Sequence, residues 1–232
     1  MEIDIFFIII AYLVFLISIV IHEASHAFVA KLTGDDTAYI SGQLTLDPIP
    51  HIKREPLGMV FFPMLFLFLN GWPFGWASTP YNIEWAKNNH RKAALMALAG
   101  PLSNLLLAIL SALILKFGIY KGIFNNNDLI ASIGYLFKPH TQPFSDSYFS
   151  GIVKMLGIMF DLNMILFVLN MLPIPTFDGG YFLSIFLSKK SAIKLIEFMS
   201  EPIFALIMII FLWNFFGYIF YPIYLLFVNM FF

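Results

Sequence analysis

His22, Glu23 and His26 stand together in the stretch IHEASHAFVA, at the end of a run from Met1 to Val20 that is nearly all hydrocarbon. Ionisable groups are costly in such a setting, so three of them need a reason. On a helix, His22 and His26 lie one turn apart on a single face. That spacing suits two neutral imidazole nitrogens binding one zinc ion. Glu23 can take a proton from a metal-activated water and later deliver it to a leaving amine. H-E-x-x-H is the metalloprotease pattern, and this chain's own His and Glu counts produce it by accident in about 0.3% of such sequences. The bland alternative is a polar contact between packed helices.

Catalytic zinc normally has three protein ligands and one open position. The chain has no cysteine, so disulfides, iron–sulfur clusters and thiolate-bound zinc are excluded and any metal rests on His, Asp or Glu. The metzincin extension fails, because Val29 and Leu32 stand where its glycine and third histidine belong. Candidates for the third ligand are His51, His90, His140, Glu84, Glu197, Asp161 and Asp178. Most fall in polar loops, where a solvated surface group is the ordinary reading. Asp178 differs, because it lies in NMLPIPTFDGG, where Pro173 and Pro175 stop a helix and Gly179 and Gly180 permit tight turning. Unwound backbone at membrane depth is tolerated only inside protein or beside a watery cavity. The alternative is an interfacial loop whose aspartate caps the next helix.

The elements that must position these groups belong to a membrane. Of 232 residues, 60% are hydrophobic and only 12% charged, with mean hydropathy +0.84. Soluble domains carry about 25% charged residues, so the composition implies an integral membrane protein. The net charge of −1 argues against nucleic-acid binding. MEIDIF lacks the basic region of a cleavable signal peptide, so residues 5–30 are expected to form a permanent helix. The expected fold is an all-α polytopic membrane protein with about 4–6 membrane segments. It is read as a single domain over 1–232, with a core at 4–188 and C-terminal membrane helices at 190–232. Residues 57–72, short and interrupted by Pro63, are expected to be re-entrant. The Lys and Arg distribution then places the N-terminus outside and the catalytic face toward the cytoplasm. TAYISGQLTL (37–46) alternates in places and is expected to be a short strand or hairpin. Its edge, at Ile40 and Gly42, offers an unwound substrate segment a place to pair.

HEASH together with NMLPIPTFDGG resembles the site-2 protease family of intramembrane zinc metalloproteases. The family's second motif, N-x-x-P-x-x-x-x-D-G, is matched by Asn170, Pro173, Asp178 and Gly179, and AGPLSNLLLA (99–108) resembles its A-G-P-x-x-N helix. Thr176-Phe177 replaces a frequent Pro-Leu beside the ligand position. The likeness is to compact prokaryotic members without PDZ or CBS domains. It implies that His22, His26 and Asp178 hold one Zn2+ and that Glu23 is the catalytic base. It further implies that Asn170 steadies substrate backbone or an oxyanion, although its amide is equally suited to carbonyls freed by Pro173. Asn163 and Pro173 are candidate substrate contacts, and Asn163 reads also as an interhelical hydrogen-bond partner. The implied substrate is a transmembrane protein, cut by regulated intramembrane proteolysis in a prokaryotic plasma membrane. A membrane metal transporter or sensor using the same ligands is the alternative. The sequence carries no sign of oligomeric state.

Overall fold

A computed structural model describes residues 5–137, 149–174, 177–199 and 202–232; His140, Pro175 and Thr176 lie outside them. Among the described residues, four helical stretches are long and apolar enough to cross a membrane: Ile5–Thr33, His90–Tyr120, Ser150–Asn170 and Asn214–Phe231. The first three are α1, α6 and α8, and the last belongs to α11 (Pro202–Phe231). The buried side of α1 carries large residues such as Phe7 and Phe15 together with small and polar ones. Ile5, Ile9, Leu13 and Ile17 point outward, while Ala11, Ser18, His22, His26, Ala27 and Ala30 face the neighbours. α6 turns Ala93, Ala97, Gly100, Asn104, Ala108 and Ala112 inward. Small side chains let the helix backbones approach closely where no hydrophobic effect separates helix from lipid. α1 and α6 pack on each other and on α8, and the polar groups lie along that three-helix seam.

The expected strand is absent among the described residues. Residues 37–40 form a single helical turn, α2 (Thr37–Ile40), because Asp35 accepts hydrogen bonds from the Thr37 backbone N (3.0 Å) and hydroxyl. Gly42 then reverses the chain at φ +75°, a conformation that costs glycine little. With Ile40 and Gly42 exposed on this turn, the strand edge expected there is withdrawn. α3 (Pro48–Arg54) follows, its first turn capped by Asp47.

The helical stretch Leu57–Asn70 opens with a π-helical turn (Leu57–Phe61) and continues as α4 (Phe62–Asn70). At 1.5 Å per residue it extends about 21 Å, short of the ~30 Å needed to cross. Gly71, at φ +75°, ends it. Residues 71–82 then form an irregular strap. Trp76 N donates to Gly58 O (3.1 Å) and Asn82 N to Asp35 Oδ2 (2.8 Å), which fastens the strap at two points. Between them, Arg54 Nε donates to Ser78 O (2.9 Å), and the Ser78 hydroxyl donates to Glu55 (2.6 Å). Gly58 and Gly75 meet so closely that a Cβ on either would strike the other's strand of backbone.

Short helices α5 (Ile83–Asn88) and α7 (Asn126–Ser132) flank α6. α8 stops at Asn170, and α9 (Asp178–Leu183) begins after the proline-containing break. Gly179 packs against the carbonyls of Met171 and Leu172, leaving no room for a side chain. α10 (Lys189–Met199) is the basic segment before α11. Buried Asp161 of α8 accepts from the Tyr224 hydroxyl of α11 (2.6 Å) and from Gly134 N and Leu136 N (both 3.2 Å). Asp161 thus ties three elements together.

Candidate metal and catalytic site

The site is assembled from α1, α6 and α9, with the strap on one flank. His22, Glu23 and His26 are all buried on α1, and their ligand atoms lie within 4.8 Å of one another. His22 Nδ1 is 2.6 Å from Asn104 Oδ1, and His26 Nδ1 is 2.8 Å from Met96 O. Asn104 Nδ2 is already donating to Asn163 Oδ1 (2.8 Å), so its oxygen faces His22. Both Nδ1 atoms therefore meet acceptors and carry the ring protons, which leaves each Nε2 as a lone pair. Those two Nε2 atoms stand 3.0 Å apart. Asp178 completes the cluster, with Oδ2 3.2 Å from His22 Nε2 and Oδ1 3.4 Å from His26 Nε2.

A cation between them would relieve the repulsion of electron-rich atoms gathered this closely. Zinc–nitrogen bonds of about 2.0–2.1 Å at tetrahedral angles put ligand atoms about 3.3–3.4 Å apart, close to the separations seen. A second observation agrees. A Cβ on Gly100 would collide with the Nε2 atoms of both histidines, so the glycine keeps open the space in front of the ligand atoms. The donor set and the cradle fit a zinc ion. Asp178 turns both carboxyl oxygens to the pair, one to each Nε2. A deprotonated oxygen is the form a metal binds. The Asp178 side chain keeps 21% exposure, whereas its partners are almost closed off, so the α9 side is the more open flank of the cluster.

Glu23 points to the strap, where the Thr79 hydroxyl lies 2.6 Å from Oε2 and 2.9 Å from the Glu23 carbonyl. Farther along the strap, the hydroxyls of Tyr81 and Tyr181 are 3.4 Å apart and bridge it to α9. Burial first, and the Tyr181 neighbour second, raise the Tyr81 phenol above its ordinary range, so it stays a neutral donor.

The other described candidate ligands do not join this cluster. His51 Nε2 pairs with Thr45 O (3.0 Å), Glu197 with Lys87 (3.2 Å), and Glu84 is exposed. His90 lies at the start of α6, where its carbonyl accepts from Ser184 (3.3 Å) and its Nε2 is buried without a hydrogen-bond partner among the described residues. Asn170 turns its amide to Leu166 O (3.0 Å), one helical turn back, and is half-buried. Pro173 is exposed at the break. Asn163 is fully buried, donating to the Ser18 hydroxyl and Met159 O (both 2.8 Å), so it has no surface to offer a substrate. Its place is one step behind Asn104 and two behind His22. Sequence reasoning meets Asn104 only within the A-G-P-x-x-N helix and passes over Thr79. Asn104 carries a usable signal, being an amide within a row of small residues.

Comparison with known proteins gives a match to Peptidase family M50 over residues 10–215. The chain is 32% identical over 165 residues to YwhC of Bacillus subtilis (strain 168), whose name marks it as a candidate zinc metalloprotease. That stretch covers 71% of this chain and 63% of YwhC. Rip2 of Mycobacterium tuberculosis, similarly named, is 32% identical over 165 residues, covering 71% of this chain and 52% of Rip2. Rip2 of Mycolicibacterium smegmatis is 30% identical over 164 residues, again with 71% and 52% coverage. The chain thus matches less than two thirds of these relatives' length. No solved structure matches.

Proposed function

The chain belongs to Peptidase family M50, and from this we propose that it is a zinc-dependent endopeptidase cutting peptide bonds in or near transmembrane segments of other membrane proteins. Its place is a multi-pass position in a prokaryotic plasma membrane, acting in regulated intramembrane proteolysis. The observation that carries the reading is the cluster of His22 Nε2, His26 Nε2 and the Asp178 carboxylate within 3.4 Å, with Glu23 beside it.

His22, His26 and Asp178 would hold one zinc ion. When bound, zinc polarises a scissile carbonyl and acidifies a water. Glu23 accepts one proton from the attacking water and returns it to the amine nitrogen as the C–N bond breaks. The buried flank of α1 and α6 excludes bulk water, which strengthens these interactions. Asn170 is assigned to the substrate backbone on the strength of its motif position and partial exposure. The open side at Asp178 admits water.

Metal analysis of purified protein, paired with comparative membrane proteomics of wild-type and Glu23→Gln cells, tests the proposal. The expected result is zinc in both proteins and truncated membrane proteins only with wild type. Zinc-free wild-type protein, or identical fragment patterns, overturns it. Metal flux lost in Glu23→Gln with no change in fragments would point to a transporter instead.

A further inference from the structure

We infer that Thr79 is a positioning residue for the Glu23 carboxylate, an inference that rests on the peptidase reading above. Glu23 lies on the rigid α1, but its own side chain has three rotatable bonds. A base serves only if its oxygen is held where the proton leaves, and small misplacements are costly. Among the described residues, the Thr79 hydroxyl is the hydrogen-bond partner of that carboxylate, at 2.6 Å from Oε2.

The strap makes this contact stiff. Ser78, next to Thr79, is gripped by Arg54 and Glu55, and Asn82 is held by Asp35. Upstream, the strap backbone is pressed on Gly58. Thr79 therefore stands on a segment fastened on both sides, facing a carboxylate on a packed helix.

A hydroxyl suits this place better than a fixed donor. Thr79 Oγ1 has one proton and two oxygens in reach, Glu23 Oε2 at 2.6 Å and Glu23 O at 2.9 Å. While Glu23 is a carboxylate, the hydroxyl donates to Oε2. Once Glu23 carries the proton from water, Oε2–H donates to Oγ1 and the Thr79 proton turns to the Glu23 carbonyl. The rotor reverses its role without a heavy atom moving. A backbone N–H or an ammonium has no lone pair with which to do so.

The test uses the full chain in lipid nanodiscs, with Thr79→Val (same shape, no hydroxyl), Thr79→Ser and Glu23→Gln. The probe is a quenched-fluorescent peptide with one apolar span and a central Asn-Gly. Thr79→Val should lower kcat about 10- to 100-fold with KM within about twofold and zinc content unchanged, and Thr79→Ser should restore most of it. Infrared difference spectra of Thr79→Val against wild type should show a shifted carboxylate band that vanishes in the Glu23→Gln background. Wild-type kcat in Thr79→Val, a serine variant no better than valine, or no band shift overturns the inference. If wild type leaves the probe uncleaved while the band shift appears, the peptidase reading fails and the contact stands. Cleavage without the shift leaves the peptidase reading standing and removes the role of Thr79.

Discussion

Asn104 Oδ1 lies 2.6 Å from His22 Nδ1, and through its Nδ2 the same amide reaches Asn163 of α8. One side chain of α6 thus fixes the tautomer of a histidine on α1 while being held from a third helix. Ser18 closes the circuit by accepting from Asn163. Every member is buried, so each lost hydrogen bond is felt in full.

Asn104→Leu should weaken zinc binding about 10- to 100-fold, because an unheld imidazole loses orientation and basicity. Competition with a fluorescent chelator measures this. Asn104→Asp, which keeps the acceptor, should bind more tightly than the leucine variant.

Gly100→Ala should abolish zinc binding while the helices remain. The added Cβ meets the ligand nitrogens of His22 and His26. Metal content by plasma emission, with circular dichroism of the same sample, separates metal exclusion from unfolding.

Tyr224→Phe should cost about 1–3 kcal/mol of stability, since it strips a hydrogen bond from the buried carboxylate of Asp161. Zinc content should not change, because that carboxylate is bonded to α11 and the 134–136 turn rather than to the histidines. Denaturation in mixed detergent micelles, with metal analysis alongside, checks both halves.

Chelation should lower the melting temperature of wild type, because a metal bound by the folded state alone stabilises it by mass action. The ion would join α1 to α9 through His22, His26 and Asp178. In Asp178→Ala the melting temperature should be the same with and without chelator.

The histidine pair and the aspartate are legible because their chemistry is unusual for an apolar chain, and the proline break beside Asp178 announces itself by composition. The α6 face can be read from its small residues. The 37–46 stretch misleads because partial alternation is a weak signal over ten residues, and the decisive group is the Asp35 side chain, which caps a turn. Asn163 reads both as a candidate substrate contact and as an interhelical hydrogen-bond partner, and its bonds to Ser18 and Asn104 leave the second reading. The Thr79 contact with Glu23 joins residues 56 positions apart, and no local pattern encodes such a meeting.

The position of the histidines along α1 has a geometric consequence. α1 runs 29 residues, about 43 Å at 1.5 Å per residue. His22 and His26 lie about 10–17 Å from its Thr33 end by the same rise. On the proposed reading the helix would work as a depth gauge. A target bond must ride at that level, so sliding a target span by a single turn, about 5.4 Å, would select a different bond or none.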